Sequence, residues 1–215
     1  MMQATRAFFV GLAVVLCISL CNGPAFAQTV DQSQLSANTG IPFSYGAEYY
    51  PAGQSFTAGL GGLLSRIDVV SNGQISGGSN TVTLSIWSGD GTNGLVLGTI
   101  TQTVTNTLAY DVPGNWLVSL DVSSLGVNET AGNVYTFAFT DVSGGPGDLA
   151  TRGIVAATNN PYADGRAYSA LYGDTTAPWD VEFRTWVVVP EPSTYSLLAL
   201  GILALLGTRR LCRRS

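Results

Sequence analysis

The chain has 215 residues, of which nine are basic and fourteen acidic, for a formal charge of −5. All nine basic residues are arginine, there is no lysine or histidine, and the three cysteines are Cys17, Cys21 and Cys212. This composition argues against a nucleic-acid-binding surface, removes any Ser-His or Cys-His catalytic pair and any imidazole metal site, and leaves room for one medium domain with targeting segments.

The N-terminus reads as a secretory signal peptide over residues 1–27. Arg6 supplies the positive charge, and Phe8 to Leu20 form an apolar stretch of 13 residues. Ala25 and Ala27 place small residues at both recognition positions, so that signal peptidase is expected to cut before Gln28 after engagement of the export machinery. A retained membrane anchor is the alternative, against which Asn22-Gly23-Pro24 and the small-x-small site speak. Leu16 and Leu20 precede Cys17 and Cys21 where a lipoprotein signal requires a small residue, so no lipid is expected there.

Residues 28–189 form the expected body. They hold four arginines, thirteen acidic residues and no cysteine, a formal charge of −9. Such a domain folds without disulfides in an oxidising compartment and relies on its own core, which about 160 residues can supply. Thr29–Gly46 is polar and reads as an arm or an edge strand. The segments that follow have a period of two. Strands are expected at Gln54–Ala58, Leu63–Val70, Val82–Ile86, Leu95–Thr105, Trp116–Leu120, Val134–Thr140, Ala150–Ala157, Ala167–Tyr172 and Val181–Thr185. Gly-, Asn- and Asp-rich turns such as Ser71-Asn72-Gly73, Ser88-Gly89-Asp90-Gly91 and Asp164-Gly165 divide them. The fold class is therefore all-β, an antiparallel sandwich of jelly-roll type.

Residues 190–215 mirror the N-terminal logic. Pro190-Glu191-Pro192 precedes an apolar run of 13 residues, Tyr195 to Gly207, which is followed by Arg209, Arg210, Arg213 and Arg214. As a helix the run is about 20 Å long at ~1.5 Å per residue, short against a hydrocarbon core of about 30 Å. The arginines stay on the cytoplasmic side of the inner membrane and the body lies outside it. Pro-Glu-Pro, a short hydrophobic helix and an arginine-rich end together resemble the PEP-CTERM sorting signal of Gram-negative bacteria. The resemblance implies recognition by exosortase near Pro190-Glu191-Pro192, removal of the tail, and delivery of the body to the cell surface or the medium, often with exopolysaccharide. A plain single-pass anchor is the alternative. The body resembles the choice-of-anchor domains that accompany this signal, through Gln54-Ser55-Phe56-Thr57, Thr83-Leu84-Ser85-Ile86-Trp87, the stretch from Asn160 to Tyr168, and Asp180-Val181-Glu182-Phe183. That likeness implies a surface β-sandwich without an assigned activity.

Four candidate sites lie in the body. Tyr162, Asp164, Arg166, Tyr168 and Trp179 could stack and bond a polysaccharide, although aromatics in strands are commonly core residues and Asp164-Gly165 is equally a turn. Asp90 and Asn93 offer hard oxygens for calcium but lack the remaining acids of a calcium loop, and a simple turn explains the same residues. Thr99, Thr101, Thr103, Thr105 and Thr107 alternate along one strand face, as on ice-binding surfaces, but in a single row. Glu48, Glu129 and Glu182 are the glutamates open to acid–base chemistry. They are isolated from one another, and Glu182 is expected on a solvated strand face. The expectation is a non-enzymatic exported protein without a cofactor, with a carbohydrate-binding adhesin or a polysaccharide-acting enzyme as alternatives.

Overall fold

The computed structural model describes residues 26–35, 51–71, 80–104, 108–109, 116–143, 154–157, 159–169 and 179–190. In chain order the strands are β1 (Phe26–Gln34), β2 (Ala52–Thr57), β3 (Gly62–Ser71), β4 (Asn80–Ser88), β5 (Val96–Val104), β6 (Leu108–Ala109) and β7 (Trp116–Asp121). A 3-10 turn at Ser123–Leu125 follows, and then β8 (Asn128–Glu129), β9 (Val134–Ser143), β10 (Ala156–Ala157), β11 (Ala167–Ser169), β12 (Asp180–Val181) and β13 (Phe183–Pro190). Among the described residues no helix is long and apolar enough to cross a membrane. Tyr195–Gly207 lies outside them.

Two sheets carry the architecture. The six-stranded sheet runs β1-β13-β3-β7-β6, with β8 also pairing with β3, and the five-stranded sheet runs β11-β2-β9-β4-β5. A short pair, β10 with β12, stands beside them. The pairings β13·β3, β3·β7, β2·β9, β4·β9 and β4·β5 are all antiparallel. The chain changes sheet between β2 and β3 and again between β3 and β4, whereas β4 and β5 form a hairpin within one sheet.

Alternation decides which face turns inward. Val82, Leu84 and Ile86 of β4 are fully buried, while Thr83 and Ser85 point the other way and bond to Thr101 and Thr99 of β5 at 3.0 and 2.7 Å. Leu64, Ile67 and Val69 of β3 and Val118 and Leu120 of β7 meet them from the opposite sheet in one core cluster. Phe183 of β13 joins the two layers, with ring centroids 6.2 Å from Phe56 and 5.6 Å from Phe137. Tilted ring packing of this kind adds to the area that each ring buries. Gln28–Val189 is a compact unit, and every residue of the core cluster lies between Ala52 and Phe183.

Thr29–Gln34 is an edge strand, part of β1 on the flank of β13. Its hold is polar: the Gln28 amide donates to Ser65 Oγ at 2.8 Å and the Gln32 N–H to Thr185 Oγ1 at 3.1 Å. The expected strands from Gln54 to Thr140 are all present within a few residues. Of Ala150–Ala157 and Ala167–Tyr172, β10 and β11 are the described parts. Thr99, Thr101 and Thr103 are exposed on β5. Thr105 and Thr107 lie outside the described residues.

Candidate functional site

The sorting end grows directly out of the fold. Phe183, Thr185 and Val187 of β13 are fully buried. On the other face, Trp186 Nε1 donates to Asp68 Oδ2 at 2.7 Å. The Arg66 guanidinium lies 3.9 Å above the Trp186 ring and 3.1 Å from Asp68 Oδ1. This charge-assisted cluster pins β13 to β3 across a bulge between Trp186 and Val187. β13 ends at Pro190, whose missing N–H suits the end of a strand. Glu191, Pro192, Arg209, Arg210, Arg213 and Arg214 lie outside the described residues, as does Ala25. Ala27 is exposed near the start of β1.

A second arrangement lies on the outer side of the five-stranded sheet. The loop after β4 turns through Gly89 and Gly91, with φ of +85° and +88°, a conformation that glycine adopts without strain. It folds back because Gly91 N–H donates to Thr136 Oγ1 and that hydroxyl donates to Gly89 O, both at 2.8 Å. Asp90 is thereby carried to Arg166, which grips both its carboxylate oxygens at 3.0 and 3.1 Å. Thr92 Oγ1 donates to Tyr168 OH at 3.0 Å, and Tyr168 stands opposite Gly53 on β2. Asp90, Thr92, Arg166 and the half-buried Tyr168 thus form one polar and aromatic rim, although the loop and the strand are 76 residues apart.

The remaining aromatic candidates go elsewhere. Tyr162 is a core residue, 8% exposed and edge-on to Phe183 at 5.3 Å. Its hydroxyl donates to Gln32 Oε1 at 3.0 Å, and burial pushes its pKa up to about 12. The expectation of Tyr162 as a sugar-stacking residue is corrected accordingly: its ring belongs to the core and its backbone N–H donates to Asp180. Trp179 packs against the core, and its carbonyl accepts Ala167 N–H at 2.7 Å. Asp164 is exposed, and its carbonyl accepts the Thr57 hydroxyl at 2.9 Å. Asn93 is exposed on the same loop as Asp90, but the Asp90 carboxylate is engaged by arginine. Among the described residues no three acidic, histidine or cysteine side chains gather to hold a metal.

The carboxyl groups are the part that sequence reasoning missed. Glu182 is fully buried rather than solvated. It sits between β12 and β13, where its N–H donates to Val155 O at 2.9 Å and its carbonyl accepts Val70 N–H at 3.1 Å. Neither its carboxylate oxygens nor those of Glu129 make a hydrogen bond. Burial raises Glu182 to about 7. Burial first and the nearby Asp31 second raise Glu129 to about 8. Asp31 caps the loop after β2 by accepting the N–H groups of Gly59 and Leu60, and burial raises its own pKa. Asp180 is fully buried, bonded to the Gln54 amide at 2.7 Å and to Tyr162 N–H at 2.8 Å.

Glu129 faces Gly62 and Glu182 bonds to Val70, at opposite ends of β3. At ~3.3 Å per residue that is roughly 26 Å, far beyond the ~5–10 Å of a glycosidase carboxyl pair. Glu48 lies outside the described residues.

A shallow groove of about 380 Å³ opens between the β4–β5 turn and the start of β9, lined by Ser88, Leu97, Asn128, Asn133 and Tyr135 among others. No curated protein and no solved structure matches the chain. Residues 188–214 match the model of the PEP-CTERM protein-sorting motif, beginning inside β13. The chain therefore carries at its C-terminus the signal of an exported protein that exosortase processes.

Proposed function

We propose that this protein is a non-enzymatic component of the cell surface or the exopolysaccharide matrix. Residues 1–27 direct export and are removed before Gln28. The apolar run of Tyr195–Gly207 and the terminal arginines hold the precursor in the inner membrane while exosortase acts at Pro190-Glu191-Pro192. The observation that carries this reading is the sorting motif at residues 188–214, joined without a spacer to the last strand of a single β-sandwich. The wide separation of Glu129 and Glu182 speaks against these two glutamates acting as a hydrolytic pair. The resemblance of the body to choice-of-anchor domains fits the same role.

Intact mass of the protein from cells and from medium tests the scheme. A mature form starting at Gln28 and ending near Pro192 is expected, and Glu191→Ala should leave the precursor in the membrane. Normal size and normal release of that variant would refute the sorting step.

A second reading, a carbohydrate-binding adhesin, is favoured by the rim of Asp90, Thr92, Arg166 and Tyr168. Partly exposed aromatic and charged groups in register suit stacking on a sugar with hydroxyls bonded beside it. A glycan array probed with wild type and Tyr168→Ala tests it. Equal signals for the two proteins would remove the rim from consideration.

A further inference from the structure

Among the described residues β5 ends the five-stranded sheet, with β4 as its paired neighbour and the Gln102 amide donating to Asp121 O at 2.8 Å. A terminal strand presents a row of backbone N–H and C=O groups to any strand that approaches. Natural sheets guard such rows with charge, proline, short length or a covering element. β5 has nine residues, and Leu95–Val104 contains neither a charged residue nor a proline. Leu95 and Val96 stand 71% and 51% exposed at its start. The other sheet ends differ: β1 carries Asp31, β11 has three residues and follows Arg166, and β6 has two.

We propose that β5 is a self-association edge whose partner is β5 of a second copy of this chain, paired antiparallel so that two five-stranded sheets become one. Identical antiparallel strands are self-complementary about a two-fold axis, which closes the assembly at a dimer. In that pairing the row of Thr99, Thr101 and Thr103 meets the same row of the other copy. The sheet already makes this kind of pair, at 3.0 Å between Thr83 and Thr101 and 2.7 Å between Ser85 and Thr99, and cross-strand hydroxyl pairs stabilise sheets. Charge points to the same place. Two bodies of formal charge −9 repel, and an uncharged strand is where they approach at least cost. A basic partner finds no attraction in β5. The inference is independent of the sorting reading.

Sedimentation velocity of the full chain in mild detergent, and of residues 28–189, provides the test. A monomer–dimer equilibrium is expected in both. Thr101→Lys or Thr103→Lys should weaken it by at least about tenfold with circular dichroism unchanged, and Thr103→Lys, which does not remove the hydroxyl pair that Thr101 makes with Thr83, should also leave the melting midpoint unchanged. Thr81→Lys, which adds the same charge on the interior strand β4, should leave it within about twofold. Each lysine lowers the net negative charge, so weaker association cannot come from added repulsion between bodies. Three results would each overturn the proposal: a wild-type body that stays monomeric to about 100 µM, association confined to the full chain, or equal effects of Thr81→Lys and Thr101→Lys.

Discussion

Replacing Glu129 with glutamine keeps the shape of the side chain and removes its ionisation. In the fold this carboxyl is 4% exposed, without a hydrogen bond, and raised from 4.5 to about 8. A group whose folded pKa is raised holds a proton that the unfolded chain has already released. Stability therefore falls as pH climbs from about 4.5 to about 8 and levels off beyond. Each pH unit across that window costs at most ~1.4 kcal/mol, so the full penalty from this one group is on the order of 5 kcal/mol. Glu182, raised to about 7, adds a slope of the same sign below its own pKa. Glu129→Gln should unfold close to wild type at pH 5 and be more stable than wild type at pH 8 and above. Urea titrations at five pH values between 5 and 9 would measure this. A wild type whose stability is flat or rising from pH 5 to 8, or a variant that loses more at pH 8 than at pH 5, would refute the reasoning.

Other outcomes follow from the buried polar contacts and the core. Gln54→Ala strips a partner from Asp180 and from Val181 N–H, which donates to Gln54 Oε1 at 2.8 Å. It should cost about 2–4 kcal/mol in urea unfolding, as unsatisfied buried groups do. Phe183→Ala empties the contact between the sheets and should cost about 3–5 kcal/mol, read as a lower melting midpoint. Asp68→Ala frees Trp186 Nε1 and Arg66 together. It should cost about 3 kcal/mol and quench or shift tryptophan fluorescence from Trp186.

The strands with an apolar face were legible because their inward residues recur every second position, as Val82, Leu84 and Ile86 do. β1 was ambiguous for the opposite reason. Its residues are polar, and its attachments are hydrogen bonds to Ser65 and Thr185, 37 and 153 residues away. Alternation also gives direction without depth. It set Glu182 opposite Val181 and Phe183 and so on a solvated face, but the β10–β12 pair ties down the backbone there and the residue is fully buried. The candidate sugar cluster loses Tyr162, whose ring packs edge-on against Phe183 in the core. The meeting of Asp90 with Arg166 depends on register across β2 and β9, which no local pattern encodes. The sorting signal was readable in full because it is a linear address whose chemistry needs no tertiary structure.

The place of β13 in its sheet has a consequence for timing. It lies between β1 and β3, so the first and last strands of the body are neighbours. Chains are made N-terminus first, and β1 therefore waits without its partner until nearly the whole body has emerged. The sorting motif begins at Val188, within that same final strand. The end of the sheet and the start of the address overlap at residues 188–190, and the rest of the address follows to residue 214. A product that stops before residue 183 lacks both the closing strand and the signal, and any chain that carries the signal has already made the strand that closes its fold.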